Sequence, residues 1–346
     1  MPNPLILTAW LCFALLTAPA QARELTNWQA AMLSGSGKLG FYALMQTRPK
    51  GSDRYLTNFM RRDGLAHKTG TAPQLLHADF AISPLLGYDN NLNNGIPGSE
   101  FSLGEMNLVV NPDSVAKKGV TFGLAVAGSR RYSLAPRQVL TFKGAARYEY
   151  APKHDLDKSG ITASSCLQSH VAKWSWLQAC GGYRYFKKST VLQQKYLSLG
   201  GTQMFASGLG YYQVDLSFER AKSETYIKSK AALGLLSAIP AFGALYTGLH
   251  WGEEVPGHHT SVQGASISLT RPIWGKTTTL SLSYNKAAGG SHFGQPRSDR
   301  AYTMMIKRPV SNYLVVRLGY QINRSNIDLY QGNQALFGID LKPWRF

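Results

Sequence analysis

A chain of 346 residues with a formal net charge of +18, 44% hydrophobic residues and slightly negative mean hydropathy is no more apolar than an ordinary water-soluble protein. Only its N-terminus holds a long apolar run, which excludes a bundle of membrane-spanning helices. It does not exclude a membrane barrel, whose strands alternate apolar and polar residues and keep the mean hydropathy modest.

The apolar core Leu5–Thr17 followed by Ala20-Gln21-Ala22 predicts an export signal over residues 1–22, cleaved after Ala22. Export delivers the mature chain to an oxidising compartment, so Cys166 and Cys180 are expected to pair. They flank Lys173 symmetrically, and a hairpin turning at Val171–Trp174 sets them opposite each other, within disulfide reach. Nucleic acid is not an expected partner after export.

Residues 23–74 form a separate unit. Glu24–Leu33 predicts one short helix; the rest is polar, basic and glycine-rich. A periplasmic extension, a plug inside a barrel and a disordered tail all remain open for it.

From Leu75 onward the chain is a succession of period-two runs. In Gln138–Tyr150, Leu140, Phe142, Gly144, Ala146, Tyr148 and Tyr150 fall on one face. Thr141, Lys143, Ala145, Arg147 and Glu149 fall on the other. Tyr212, Val214, Leu216 and Phe218 alternate with Gln213, Asp215, Ser217 and Glu219, and Leu314–Asn323 repeats the pattern. Charged side chains in mid-strand suit a wet lumen, so Lys143, Arg147 and Arg317 are expected to line it. Short turns (Leu134–Arg137, Ala206–Gly208, Ser237–Ala241, Pro272–Lys276, Pro309–Asn312) alternate with longer polar loops (Ala151–Gly160, Gly252–His259, Lys286–Arg300, Ser325–Asn333).

These runs predict an all-β fold over 75–346: an antiparallel transmembrane outer-membrane β-barrel in the bacterial cell outer membrane, touching membrane lipid and lipopolysaccharide. About fifteen runs are countable, and a single-chain barrel needs an even number. Fourteen strands is favoured, with sixteen the alternative if Lys38–Arg48 adds one. In the last strand Ala335, Phe337, Ile339 and Leu341 face lipid, whereas Trp344 and Phe346 have the opposite parity. A bulge at Lys342-Pro343 would restore the register. Trp344 and Phe346 resemble the terminal aromatic signal read by the barrel assembly machinery.

Little in the sequence points to catalysis. There is no G-x-S-x-G elbow or phosphate-binding glycine loop, so no enzyme and no cofactor are expected. The best candidate site is a cluster of imidazoles and carboxylates, His250, Glu253, Glu254, His258 and His259, whose ligand types suit zinc or a similar divalent ion.

The end of the chain, Asn323-Arg324-Ser325-Asn326-Ile327-Asp328-Leu329-Tyr330 leading to Gly338 and Phe346, resembles the barrel domain of the surface lipoprotein assembly modifier family. Arg297-Ser298-Asp299-Arg300 and Gly87-Tyr88-Asp89-Asn90-Asn91-Leu92-Asn93 are similar to further elements of that pattern. The resemblance implies a barrel that helps translocate or assemble surface-exposed lipoproteins, with lipoprotein cargo as partner. The family's periplasmic helical repeats are missing, since the residues ahead of the barrel are too few for a stack of units of about 34 residues. A separate periplasmic repeat protein would then have to supply them. The alternative is a porin-like, anion-favouring channel or a structural barrel.

Overall fold

The computed structural model describes residues 25–96, 98–103, 106–292, 294–341 and 344–345. The export signal and Phe346 lie outside the described residues. No described helix is long and apolar enough to cross a membrane.

Three helices lead: α1 Asn27–Leu33, α2 Gly37–Thr47 and α3 Asp53–Arg62. Thr26 and Gln29 form a reciprocal capping box at the start of α1, and the Ser36 side chain caps α2. The single helix expected over Glu24–Leu33 is therefore the first of three. Lys38–Arg48 is helical and adds no strand.

Fourteen strands then close a single antiparallel barrel. The first is β1, Gln74–Asp89. It is followed by β4 Gly119–Ala135, β5 Gln138–Ala151, β6 Leu156–Ala172, β7 Ser175–Lys187, β8 Val191–Ser207 and β9 Gly210–Ser223. The second half comprises β10 Ile227–Ile239, β11 Gly243–Gly252, β12 Thr260–Ile273, β13 Lys276–His292, β14 Gln295–Pro309, β15 Leu314–Ser325 and β16 Gly332–Leu341. Each strand pairs with its neighbour in sequence, and β16 closes the sheet on β1 through Leu85↔Asp340 to Tyr88↔Phe337. Closure leaves no unpaired edge, which is what lets strands cross a bilayer. Outside the barrel, β2 Glu100–Leu103 and β3 Met106–Val109 form a small hairpin that pairs only with itself among the described residues.

Trp344 and Arg345 form β17, which continues β16 along β1. Asp340 lies opposite Leu85 but Trp344 lies opposite Ile82, so the register slips by one residue between them. That slip puts Trp344 on the face of Ile339 and Leu341; Lys342 and Pro343, where a bulge is expected, lie outside the described residues.

At one end of the barrel all the connections are tight. In the β12–β13 turn Trp274 and Gly275 both have positive φ, the pair of left-handed conformations that a two-residue turn needs to match strand twist. The opposite end carries the wider connections, but two expected loops are shorter than the sequence suggested. Residues 286–300 are mostly strand, with β13 running to His292 and β14 starting at Gln295. Gly160 lies inside β6 rather than in a loop. Strands that rise beyond the bilayer are polar on both faces, so period-two alternation fades although pairing continues.

Side-chain parity matches the alternation. Phe122, Leu124, Phe142, Ile161, Leu167, Leu216, Phe218, Leu318 and Phe337 all stand exposed on the outer face. A closed barrel with an apolar exterior, tight turns at one end and wider loops at the other is a bacterial outer-membrane protein.

Cys166 and Cys180 are joined directly across β6 and β7, with Cα atoms 4.1 Å apart. The loop they close is short, so breaking the bond is expected to cost about 3 kcal/mol at most, on a barrel already closed by its ladder. Thiol labelling of the denatured, unreduced mature protein should find neither cysteine reactive; two labelled thiols would contradict the bond.

Candidate functional site

The helices sit within the tight-turn mouth of the barrel. Ala30, Ala31, Leu39, Tyr42 and Ala43 pack against Trp176, Met204, Tyr211 and Ala238 of β7–β10. Phe41, Leu44 and Leu56 form a second cluster with Phe59 and Leu65, against Trp174 at the β6–β7 turn. The segment 25–73 is thus a plug rather than a free extension. Its polar seams are fastened too: the Ser36 hydroxyl donates to the Gln213 amide oxygen at 2.5 Å, and Arg131 of β4 donates to Asp63 at 2.8 Å. Gly64, at φ +69°, lies against Ser133 and Val139, where a Cβ would collide with the Val139 side chain.

The plug leans on β7–β12 and leaves a cavity of about 620 Å3 between itself and the wall formed by β4–β7. Lys38 and Arg62 from the helices and Arg131 and Lys143 from the wall line it, with Asp63 as its one carboxylate. Thr141, Gln168, Gln178 and Cys166 complete the polar side. Four cations against one carboxylate give the cavity lining a net positive charge. Burial holds the Lys38 ammonium below the ordinary lysine range, although Asp63 and Asp215 pull it upward.

Lumen-facing cations elsewhere are mostly neutralised. Arg147 bonds Glu149, and Lys158 bridges Glu149 and Asp89, the latter also held by Lys188. Arg184 makes a two-pronged contact with Glu219 at 2.6 and 2.9 Å. Arg317 contacts Asp340 at 2.8 Å, with Lys307 on the same carboxylate at 3.6 Å. Of the three basic residues singled out in the sequence, Lys143 lines the cavity, whereas Arg147 and Arg317 are engaged with acids. Lys38, Arg62 and Arg131 were missed. Arg131 was recoverable from alternation, which sends one of Arg130 and Arg131 inward. The two on the helices had no sequence signal for their position.

The expected metal cluster does not form. His250 contacts the Ser261 hydroxyl at 3.0 Å, and Glu253 accepts from the Ser229 backbone N–H. His258 packs at a tilt against the Tyr226 ring, with centroids 4.7 Å apart, while His259 reaches Asp299 at 3.1 Å. Strand pleating and the turn at 255–258 send the side chains to different neighbours, and Glu254 joins none of these contacts. Among the described residues no three histidine, cysteine, aspartate or glutamate side chains converge on a metal position.

No family model matches the chain, and no curated protein matches it. Solved structures of similar form include OpdK of Pseudomonas aeruginosa, 8% identical with a TM-score of 0.41, over 79% of this chain and 100% of that one. OccAB3 of Acinetobacter baumannii is 9% identical with a TM-score of 0.42, over 78% and 99%. A BenF-like porin of Pseudomonas fluorescens Pf-5 is 8% identical with a TM-score of 0.40, over 79% and 99%.

Proposed function

We propose that this outer-membrane barrel is a porin-like channel that favours small anions and is narrowed at its periplasmic mouth by its own N-terminal helices. The observation that carries the proposal is the cavity beside the plug, whose lining holds Lys38, Arg62, Arg131 and Lys143 with Asp63 as its one carboxylate. Such a constriction, walled by low-dielectric protein and lined by one sign of charge, concentrates anions and repels cations.

The purified protein is expected to conduct steadily in a planar bilayer, with a reversal potential on the anion side in a salt gradient. Lys143→Gln and Arg62→Gln should each reduce that preference. Leu318→Ala, on the lipid face, should leave it unchanged. Anion preference should also fall on going to alkaline pH, because Lys38 loses its proton before an ordinary lysine does. Lys38→Met should remove that alkaline step.

A role in assembling surface lipoproteins is the second possibility. It is supported by the terminal resemblance and by the plug, since an assembly factor must not leak at rest. Cargo and any separate repeat protein belong to that proposal alone. A barrel closed to ions at rest, with particular proteins lost from the surface of a deletion strain, would favour it over the channel.

A further inference from the structure

Outside the plug cavity most lumen-facing cations have acidic partners, whereas a row of three cations on the outer surface has none among the described residues. Lys286 of β13 lies directly opposite Arg300 of β14, and Arg300 directly opposite Arg324 of β15. Gln263 of β12 extends the row on the Lys286 side. All of these side chains share the parity of the lipid-facing Leu282, Met304 and Leu318. Arg300 and Arg324 are exposed, and none of the three cations has an acidic partner among the described residues. Like charges placed directly opposite one another on adjacent strands repel and destabilise a sheet. An unpaired row of three is therefore sustained best by an anion from outside.

Its height on the barrel identifies that anion. The row lies at the wide-loop end. Below it the outer face of β14 runs through Tyr302, Met304 and Ile306 to Arg308, which stacks over Trp274 at the tight-turn end. Eight residues at ~3.3 Å each, tilted by ~40°, give roughly 20 Å of apolar wall, close to the band that such barrels present to lipid. The cations therefore stand at the level of the outer-leaflet headgroups. Tyr284 and Tyr302, with rings 5.3 Å apart, form an aromatic ledge immediately beneath them.

We infer that Lys286, Arg300 and Arg324 form a docking site for a phosphorylated glycolipid of the outer leaflet. Its sugar phosphates would be held by the three cations and its acyl chains would lie over Tyr284 and Tyr302. Arginine pairs with phosphate through two parallel hydrogen bonds, which gives the site geometry as well as charge. The inference holds whether or not the barrel conducts, because it concerns the outer surface only.

The test follows Lys286 by amine-acylation footprinting with mass spectrometry, on protein purified in detergent and freed of lipopolysaccharide. Bisphosphorylated lipid A should protect Lys286. The same glycolipid stripped of its phosphates, and inorganic phosphate at equal concentration, should not. Arg300→Gln/Arg324→Gln should raise the lipid A concentration needed for protection by about tenfold or more, as expected for losing charge-assisted contacts. The charge-retaining Arg300→Lys/Arg324→Lys should lose less. Correct folding of each variant is checked by the shift between unheated and boiled samples on a detergent gel, and Arg324→Gln alone, at the rim, serves if the double variant misfolds. Equal protection by the dephosphorylated glycolipid, equal protection by free phosphate, or undiminished protection in a folded glutamine variant would each overturn the site.

Discussion

Trp176→Ala is expected to release the helical plug while leaving the barrel closed. Trp176 is 2% exposed and packs in one cluster with Ala30, Ala31, Leu39 and Tyr42; Lys38 lies over its ring at 5.2 Å. Truncating a buried tryptophan costs about 3–5 kcal/mol, and here nearly all of that falls on the interface between plug and wall. The backbone ladder of β7 with β6 and β8 does not depend on this side chain. Protease should therefore cut within 25–73 in the variant but not in the wild type, and single-channel current should rise severalfold and become noisier. The heat-dependent gel shift should persist. Leu177→Ala is the control, because the adjacent residue points to lipid and its loss should leave plug and current unchanged. A variant with protected helices and wild-type current would contradict Trp176 as the residue that holds the plug in the channel mouth.

The same neighbourhood shows which parts of the structure were legible in the sequence. The barrel wall was, because period-two alternation reports directly on a surface with lipid on one side and water on the other. Phe142 and Lys143 were assigned to opposite faces from that pattern alone. The cysteine pair was legible too, since equal spacing about a tight turn fixes cross-strand register. The plug was not. Leu39, Phe41 and Leu44 bury themselves against Trp174, Trp176 and Met204, and nothing local says that the partner of a short helix is the inside of a barrel more than a hundred residues away. For the same reason the cavity was only one-quarter visible: of its four cations, Lys143 alone was named beforehand. The histidine–glutamate cluster erred the other way, because closeness in sequence does not survive the pleat of a strand followed by a turn.

Asp63→Asn is expected to act on both the plug and its selectivity, and the two effects are separable. Asp63 ends α3, its side chain is 6% exposed, and it accepts from Arg131 at 2.8 Å. Removing one partner of a largely buried ion pair strands the other charge and costs about 3–5 kcal/mol, far more than the net worth of the pair. Asp63→Asn and Arg131→Met should each loosen the plug, read as faster proteolysis of 25–73. The double variant should recover much of the lost protection, because no buried charge is then left alone. Selectivity should not follow the same cycle. Asp63→Asn removes the cavity's one carboxylate and should strengthen anion preference. Arg131→Met removes one of its four cations and should weaken it, and the double variant should lie between them. Additive loosening in the double variant would mean that the contact is not an energetic pair. If preference shifted in the same direction in both single variants, the current would be passing somewhere other than beside the plug.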